Sequence, residues 1–297
     1  MCEGYLTVPI HSFNGGKGLG GENVGGTRVV VERSSSPRII AETSDSHIGK
    51  NSSIKYSPVE IYVPKESFSI KKRSSNQRTP CEMGYLDNSF LDEILNLQKL
   101  VLQHLPEAEV FRPSSREDFS EHFCMGDPIL GVLAPIGLIA YHVLAIPRRE
   151  NYGTDISLPP DELPMVAHLK IVAVHPDYRG NGLQRKVNEA QIELMRSAGF
   201  RHACCTISPK NPYSLRNFIA DGLVIKGLVT KFGGWMRYIM HRDLLRPRIF
   251  GKDKTCISNS DIQGQMKLLE EGFCGVGITR KGEGFDVIYI RDSLGKL

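Results

Sequence analysis

Four consecutive residues, Arg179-Gly180-Asn181-Gly182, stand out in this 297-residue sequence as a place where chemistry could be done. They follow an apolar run, Ala167 to Val174 (AHLKIVAV), and the turn His175-Pro176-Asp177-Tyr178. After them Leu183, Val187, Ala190, Leu194 and Ala198 share one helical face, and Gly199 ends the pattern. A strand that passes through glycines into a helix aims several unpaired backbone N–H groups at one point, which is an anion site. Glycine lets the backbone approach a bulky phosphate, and Arg179 adds a charge that can pair with its oxygens. The alternative reading of the same residues is steric, since many strand-to-helix turns contain two glycines only to make the turn.

The elements around this segment can be read from periodicity. Phe90, Ile94, Leu97, Val101 and Leu105 form one helical face, with Asn88 or Ser89 as cap and Pro106 as stop. A short helix follows near 115–123. Residues 129–147 (ILGVLAPIGLIAYHVLAIP) carry no charge, but Pro135, Gly137 and His142 interrupt them, so two buried strands joined at Pro135-Ile136 fit better than a membrane span. Residues 201–208 (RHACCTIS) read as a strand in which Cys204 and Cys205 are buried packing groups. A helix then starts at Asn211 with Pro212 in first position and ends at Gly222; strands at about 223–230 and 234–242 turn at Gly233-Gly234. Beyond 245, a helix at 261–271 and strands at Cys274–Thr279 and Phe285–Ile290 are expected, and no internal repeat stands out.

Composition sets the class. Apolar residues make up 40% and charged residues 24%, as in a soluble globular chain. Residues 1–80 hold eleven Lys/Arg against seven Asp/Glu, while 81–297 hold twenty-six of each, so the net charge of +4 comes from the first segment. That excess, without interleaved aromatic and basic residues, does not point to nucleic acid; Arg237, Arg242, Arg246 and Arg248 read as a solvated basic face. Seven scattered cysteines give neither a disulfide framework nor zinc spacing, so no metal is expected. The first twenty residues lack the pattern of a signal peptide, and a cytoplasmic protein that does not bind membranes is the expectation. Residues 11–57 contain seventeen Gly or Ser, with β-like runs nearby at Arg28–Glu32 and Val59–Val63. GGKGLGG at 15–21 has no Lys-Ser/Thr pair to close it and reads as a glycine loop rather than a phosphate loop.

The run VAVHPDYRGNGLQ resembles motif A of the GNAT superfamily of acyl-CoA-dependent N-acetyltransferases, in which Q/R-x-x-G-x-G/A follows an apolar strand ending in V-x-P. Arg179, Gly182 and the Val174-His175-Pro176 lead-in match it. Element order extends the resemblance over about residues 85–245. It implies a mixed α+β fold, with a mostly antiparallel sheet of about six or seven strands, helices on its faces and a splay beside 172–174. The domains would be a Gly/Ser-rich segment 1–80, an acyltransferase domain 81–246 and a small α/β appendage 247–297 that could complete the sheet, cover the acyl pocket or make a homodimer contact.

The resemblance also implies a donor, acetyl-CoA, and an acceptor, a small-molecule or peptide amine. The backbone of Val172, Ala173 and Val174 would pair with the pantetheine arm. Arg179, Gly180, Asn181, Gly182, Leu183 and Gln184 would cradle the pyrophosphate, and Asn211 with Ser214 would contact the cofactor beyond it. His168 falls where the protein-lysine branch of the family has a catalytic glutamate, which makes it the candidate general base; otherwise it is a hydrogen-bonded strand-end residue. His175 reads as a solvent-facing turn residue. Two positions depart from the pattern. Gln184 replaces the motif's last small residue, and Phe218 stands where many members have a tyrosine that protonates the leaving thiolate, leaving Tyr213, Ser214 or water for that role. A binding module without catalysis and an enzyme for longer acyl donors are the alternatives.

Overall fold

The computed structural model of the chain describes residues 26–32, 38–42, 59–64, 66–73, 78–282 and 284–293. The glycine loop at 15–21 and the first twenty residues lie outside them. The chain divides into two units: residues 1–103, 114–145 and 171–187 form the first, and 104–113, 146–170 and 188–297 the second.

In the first unit β1 (Gly26–Glu32), β2 (Arg38–Glu42) and β3 (Val59–Pro64) make an antiparallel sheet of order β2-β1-β3. β4 (Glu66–Lys71) pairs with β5 (Arg78–Tyr85), β5 with β6 (Ile129–Ala134), and β6 with β7 (Gly137–Ala145), all antiparallel. Between β5 and β6 come α1 (Leu91–Gln103) and α2 (Arg116–Cys124); a capping box of Ser115 and Asp118 starts α2. α1 lies against β7 and buries Leu91, Ile94, Leu97 and Val101. Phe119 of α2 meets Tyr141 of β7 edge-on at 5.8 Å. Every residue of β7 after Gly137 is buried, which explains the uncharged run. Among the described residues no helix is long and apolar enough to cross a membrane.

β8 (Val166–Val174) and α3 (Leu183–Ser197) contribute to both units. The second unit adds β9 (His202–Ile207), α4 (Pro212–Ala220), β10 (Val224–Lys231), β11 (Trp235–Asp243), β12 (Phe250–Ser258), α5 (Ile262–Glu270), β13 (Phe273–Lys281) and β14 (Gly284–Asp292). Its strand order is β8-β9-β11-β10-β13-β14-β12. Only β8 and β9 run parallel, and that ladder lasts three pairs, Val166 with His202 to His168 with Cys204.

The class is therefore the mixed, mostly antiparallel one expected, but six or seven strands is an undercount. This unit alone holds seven, and β4 to β7 come in addition. The strands missed, β4, β5 and β12, bury few side chains: Ile70 in β4, Cys81 and Met83 in β5, and none in β12, so each leaves only a short apolar signal. The inner face of α3 also differs. Asn188 and Gln191 are fully buried on it, Ala190 only half, and the Asn188 amide donates to Asp221 Oδ2 at 2.8 Å. Nor do the arginines near 240 form one solvated face. Arg237 is buried, Arg242 donates to the Asp221 carbonyl, and Arg248 pairs with Asp292.

The second unit contains a repeat that was not apparent in the sequence. β9-α4-β10-β11 and β12-α5-β13-β14 share their registers: Ile207 pairs with Tyr238 as Ile257 does with Val287, and Val224 with His241 as Cys274 does with Ile290. Both hairpins bulge at the same place, between Ile225 and Gly227 and between Gly275 and Gly277. Asn211 caps α4 by accepting from the Ser214 N–H, and Asp261 caps α5 from the Gly264 N–H. Arg242 donates to the carbonyl of Asp221, and Arg291 to that of Glu271. β10 and β13 meet at Ile225 and Gly275, equivalent positions of the two copies, and α4 lies on β13 while α5 lies on β10. A local two-fold axis passes through that pair. A Cβ at Gly275 would come within 2.7 Å of the Ile225 side chain, so the second copy gives up a side chain where the first keeps one.

Buried histidines punctuate both units. In the second, Arg248 donates to His241 Nδ1, which leaves His241 Nε2 to donate to His202 Nδ1 at 2.9 Å and His202 Nε2 to donate to Glu162 at 3.0 Å. This one-way chain is satisfied with both rings neutral. Burial pushes both imidazoles below their ordinary value, with Arg248 adding to the effect at His241. In the first unit, burial pushes His142 down to about 3. Depressed folded values give stability above the unfolded value of about 6.5 that is lost as pH falls below it. His142 alone should cost about 1.4 kcal/mol per pH unit over that fall. The thermal midpoint should therefore drop between pH 6.5 and 5, above the range where carboxylates protonate. A midpoint that stays level to pH 5 would contradict this account.

Candidate functional site

In the first unit, β8 ends with Ile171 and Ala173 buried and Val172 and Val174 half-buried. The His175 N–H then donates to Ile139 O at 2.8 Å, and Pro176–Tyr178 form one 3₁₀ turn. His175 caps that turn, its Nδ1 accepting from the Asp177 N–H at 3.2 Å, while its ring lies edge-on to Tyr178. This is a turn residue's role.

Arg179 is extended, and its Nε–H donates to Val174 O at 3.4 Å. Half-burial, and then the charge of Arg73, push its guanidinium below the usual arginine value. Gly180 and Gly182 have φ of 85° and 71°, and a Cβ at either would meet no atom within 4 Å. Glycine is needed here for the backbone conformation and not for lack of room. The loop is open at both glycines.

α3 begins as the Lys186 N–H donates to Gly182 O at 3.0 Å. Leu183 is buried and Gln184 half-buried. The Asn181 side chain turns away from the open face: its Nδ2 donates to Lys71 O at 2.7 Å and Tyr178 O at 3.0 Å, and its Oδ1 accepts from the Lys71 N–H at 3.0 Å. Only its backbone is left for an anion.

The other expected site residues belong to the second unit. His168 is buried and stacks on Tyr152 with ring centroids 3.9 Å apart. Its Nε2 accepts from the Tyr152 N–H at 3.1 Å, so the neutral ring carries its proton on Nδ1 and its one lone pair is committed to the backbone. These contacts tie His168 to the 150–158 segment, in which Lys231 also pairs with Glu150 and Asp155. The sequence does not mark Tyr152 as this partner, by spacing or by motif.

Asn211 uses its side chain as the α4 cap, accepting from the Ser214 N–H at 3.0 Å, and Lys210 beside it pairs with Glu107 and Glu109. Phe218 is buried in α4, whereas Tyr213 is 81% exposed. Burial pushes the Cys204 and Cys205 thiols up, as packing groups. Among the described residues no three His, Cys, Asp or Glu side chains come together as a metal centre would need.

No protein-family model matches the chain, and no curated protein matches it. Solved structures do. An N-acetyltransferase from Staphylococcus aureus Mu50 shares 14% identity over 55% of this chain and 98% of its own, with a TM-score of 0.44. The ribosomal-protein-S18-alanine N-acetyltransferase from Escherichia coli shares 15% over 58% and 97%, with a TM-score of 0.43. A GNAT superfamily phosphinothricin acetyltransferase from Sinorhizobium meliloti, in complex with acetyl-CoA, shares 19% over 55% and 88%, with a TM-score of 0.43.

Proposed function

We propose that the chain is an N-acyltransferase that takes an acetyl group from acetyl-CoA and passes it to the primary amine of a small molecule or peptide. The observation that carries this reading is the loop after β8, with two glycines in left-handed conformation, open on one side, at the start of a fifteen-residue helix beside Arg179. Such a loop offers convergent backbone N–H groups to a pyrophosphate. The motif around it is the one whose resemblance implies the same donor.

In this reading Val172 to Val174 present backbone to the pantetheine arm, and residues 179–184 hold the pyrophosphate through main-chain N–H groups and Arg179. The acceptor ammonium, with an ordinary value of about 10.4, must lose a proton before it attacks the thioester carbon. The amine nitrogen then bonds to that carbon, the carbon–sulfur bond breaks, and the thiolate takes up a proton. Phe218 has none to give, which leaves solvent or the exposed Tyr213 hydroxyl.

Calorimetric titration with coenzyme A, followed by thiol release from acetyl-CoA over a panel of amines, tests the proposal. Binding together with amine-dependent thiol release is the expected result. Binding without release from any amine would favour a coenzyme A-binding module, and absence of binding would refute the donor.

A further inference from the structure

We propose that the basic end of β4, Lys71-Lys72-Arg73, binds a third phosphate group of the donor, the ribose 3′-phosphate of coenzyme A. The proposal rests on the donor reading above and extends the site by a strand that lies about a hundred residues away in sequence. Two groups hold that strand end on the glycine loop. The Asn181 side chain bonds both the N–H and the carbonyl of Lys71, as a neighbouring strand would. The Arg73 N–H donates to Asp177 O at 2.7 Å, and the Lys72 ammonium lies 3.5 Å from the Asp177 carboxylate. Farther back, Lys186 at the start of α3 pairs with Glu66 and sits 4.6 Å above the Phe68 ring. β4 is thus fastened to the loop at its end and to α3 farther back.

The charges left at this junction have one sign. Lys71, Arg73 and Arg179 have no carboxylate partner among the described residues, and Arg73 lies close enough to Arg179 to disfavour its charge. Cations fastened side by side repel one another, and a multiply charged anion between them removes that cost. The pyrophosphate would occupy the main-chain N–H groups of the loop. A further phosphate, a monoester carrying close to two negative charges at neutral pH, matches the remaining cations. Lysines on an edge strand also discourage strand pairing. That role would be met anywhere along β4, whereas here three consecutive cations end on the loop.

Titration of the full-length chain with coenzyme A and with 3′-dephospho-coenzyme A tests the proposal, using the wild type and the double variant Lys71→Ala/Arg73→Ala. The bonds that fasten β4 through these two residues are made by main-chain atoms, so the variant keeps them. The wild type should bind coenzyme A at least tenfold more tightly than the dephospho form. The variant should bind both alike, at the wild type's affinity for the dephospho form. Equal affinities in the wild type, or a preference that survives in the variant, would overturn the assignment. A wild type that binds neither compound would refute the donor reading itself, and this proposal with it.

Discussion

Coenzyme A affinity should fall at least tenfold, about 1.4 kcal/mol, in Gly182→Val. Gly182 sits at φ 71°, where an L-residue costs about 1–2 kcal/mol and a β-branched one is worse still. If the loop keeps its shape, the new methyls project into the open face where the phosphate would lie. If the strain is relieved, φ swings to negative values and the N–H groups no longer converge. Either outcome weakens binding. Gly272, at φ 84° and equally open, ends the second repeat's helix in the other unit and supplies the control. Gly272→Val should lower the melting temperature in the same way and leave coenzyme A affinity unchanged. Unchanged affinity in Gly182→Val, measured by the same titration, would remove the loop from the donor site.

His168→Ala should destabilise the chain strongly, while His168→Gln should be close to wild type. The alanine variant leaves the buried Tyr152 N–H without its acceptor, at a cost of about 1–3 kcal/mol, and removes the ring that Tyr152 stacks on. The glutamine amide oxygen can accept the same N–H. A general base would behave otherwise: both substitutions would cut kcat by about 10²–10⁴-fold with coenzyme A affinity intact, and the acid limb of the wild-type pH–rate profile would disappear in the glutamine variant. Thermal melts and pH–rate profiles of the two variants separate the roles. A glutamine variant with wild-type stability and a turnover loss of that size would identify the histidine as the base.

Local periodicity and punctuation placed most helices and the buried strands. The helices α1 and α3, the start of α4 at Asn211, and the glycines at 180, 182, 199 and 222 were legible, because each depends on residues within a few positions of itself. The run 129–147 was also legible as a hairpin, since Pro135 and Gly137 leave a helix no way through it. The motif at 174–184 named the candidate anion loop for the same reason. Its chemistry is main-chain N–H groups in a conformation that two glycines specify.

Tertiary structure decided what depends on partners distant along the chain. Lys71 meets Asn181 through main-chain atoms that every residue type possesses, so no residue choice announces the pairing. His168 meets Tyr152 by a backbone N–H as well, and so the sequence left a free base and an engaged acceptor equally open. The repeat is the clearest case. Ile207 and Ile257, Ser208 and Ser258, and Gly222 and Gly272 coincide, but most other positions differ: the buried Gln265 takes the place of Leu215, and Lys254 that of Cys204. Register is set by backbone pairing and by which face is buried, and these conditions many side chains meet equally well. Two copies can therefore keep the hairpin bulge and the register of most pairs while their sequences differ.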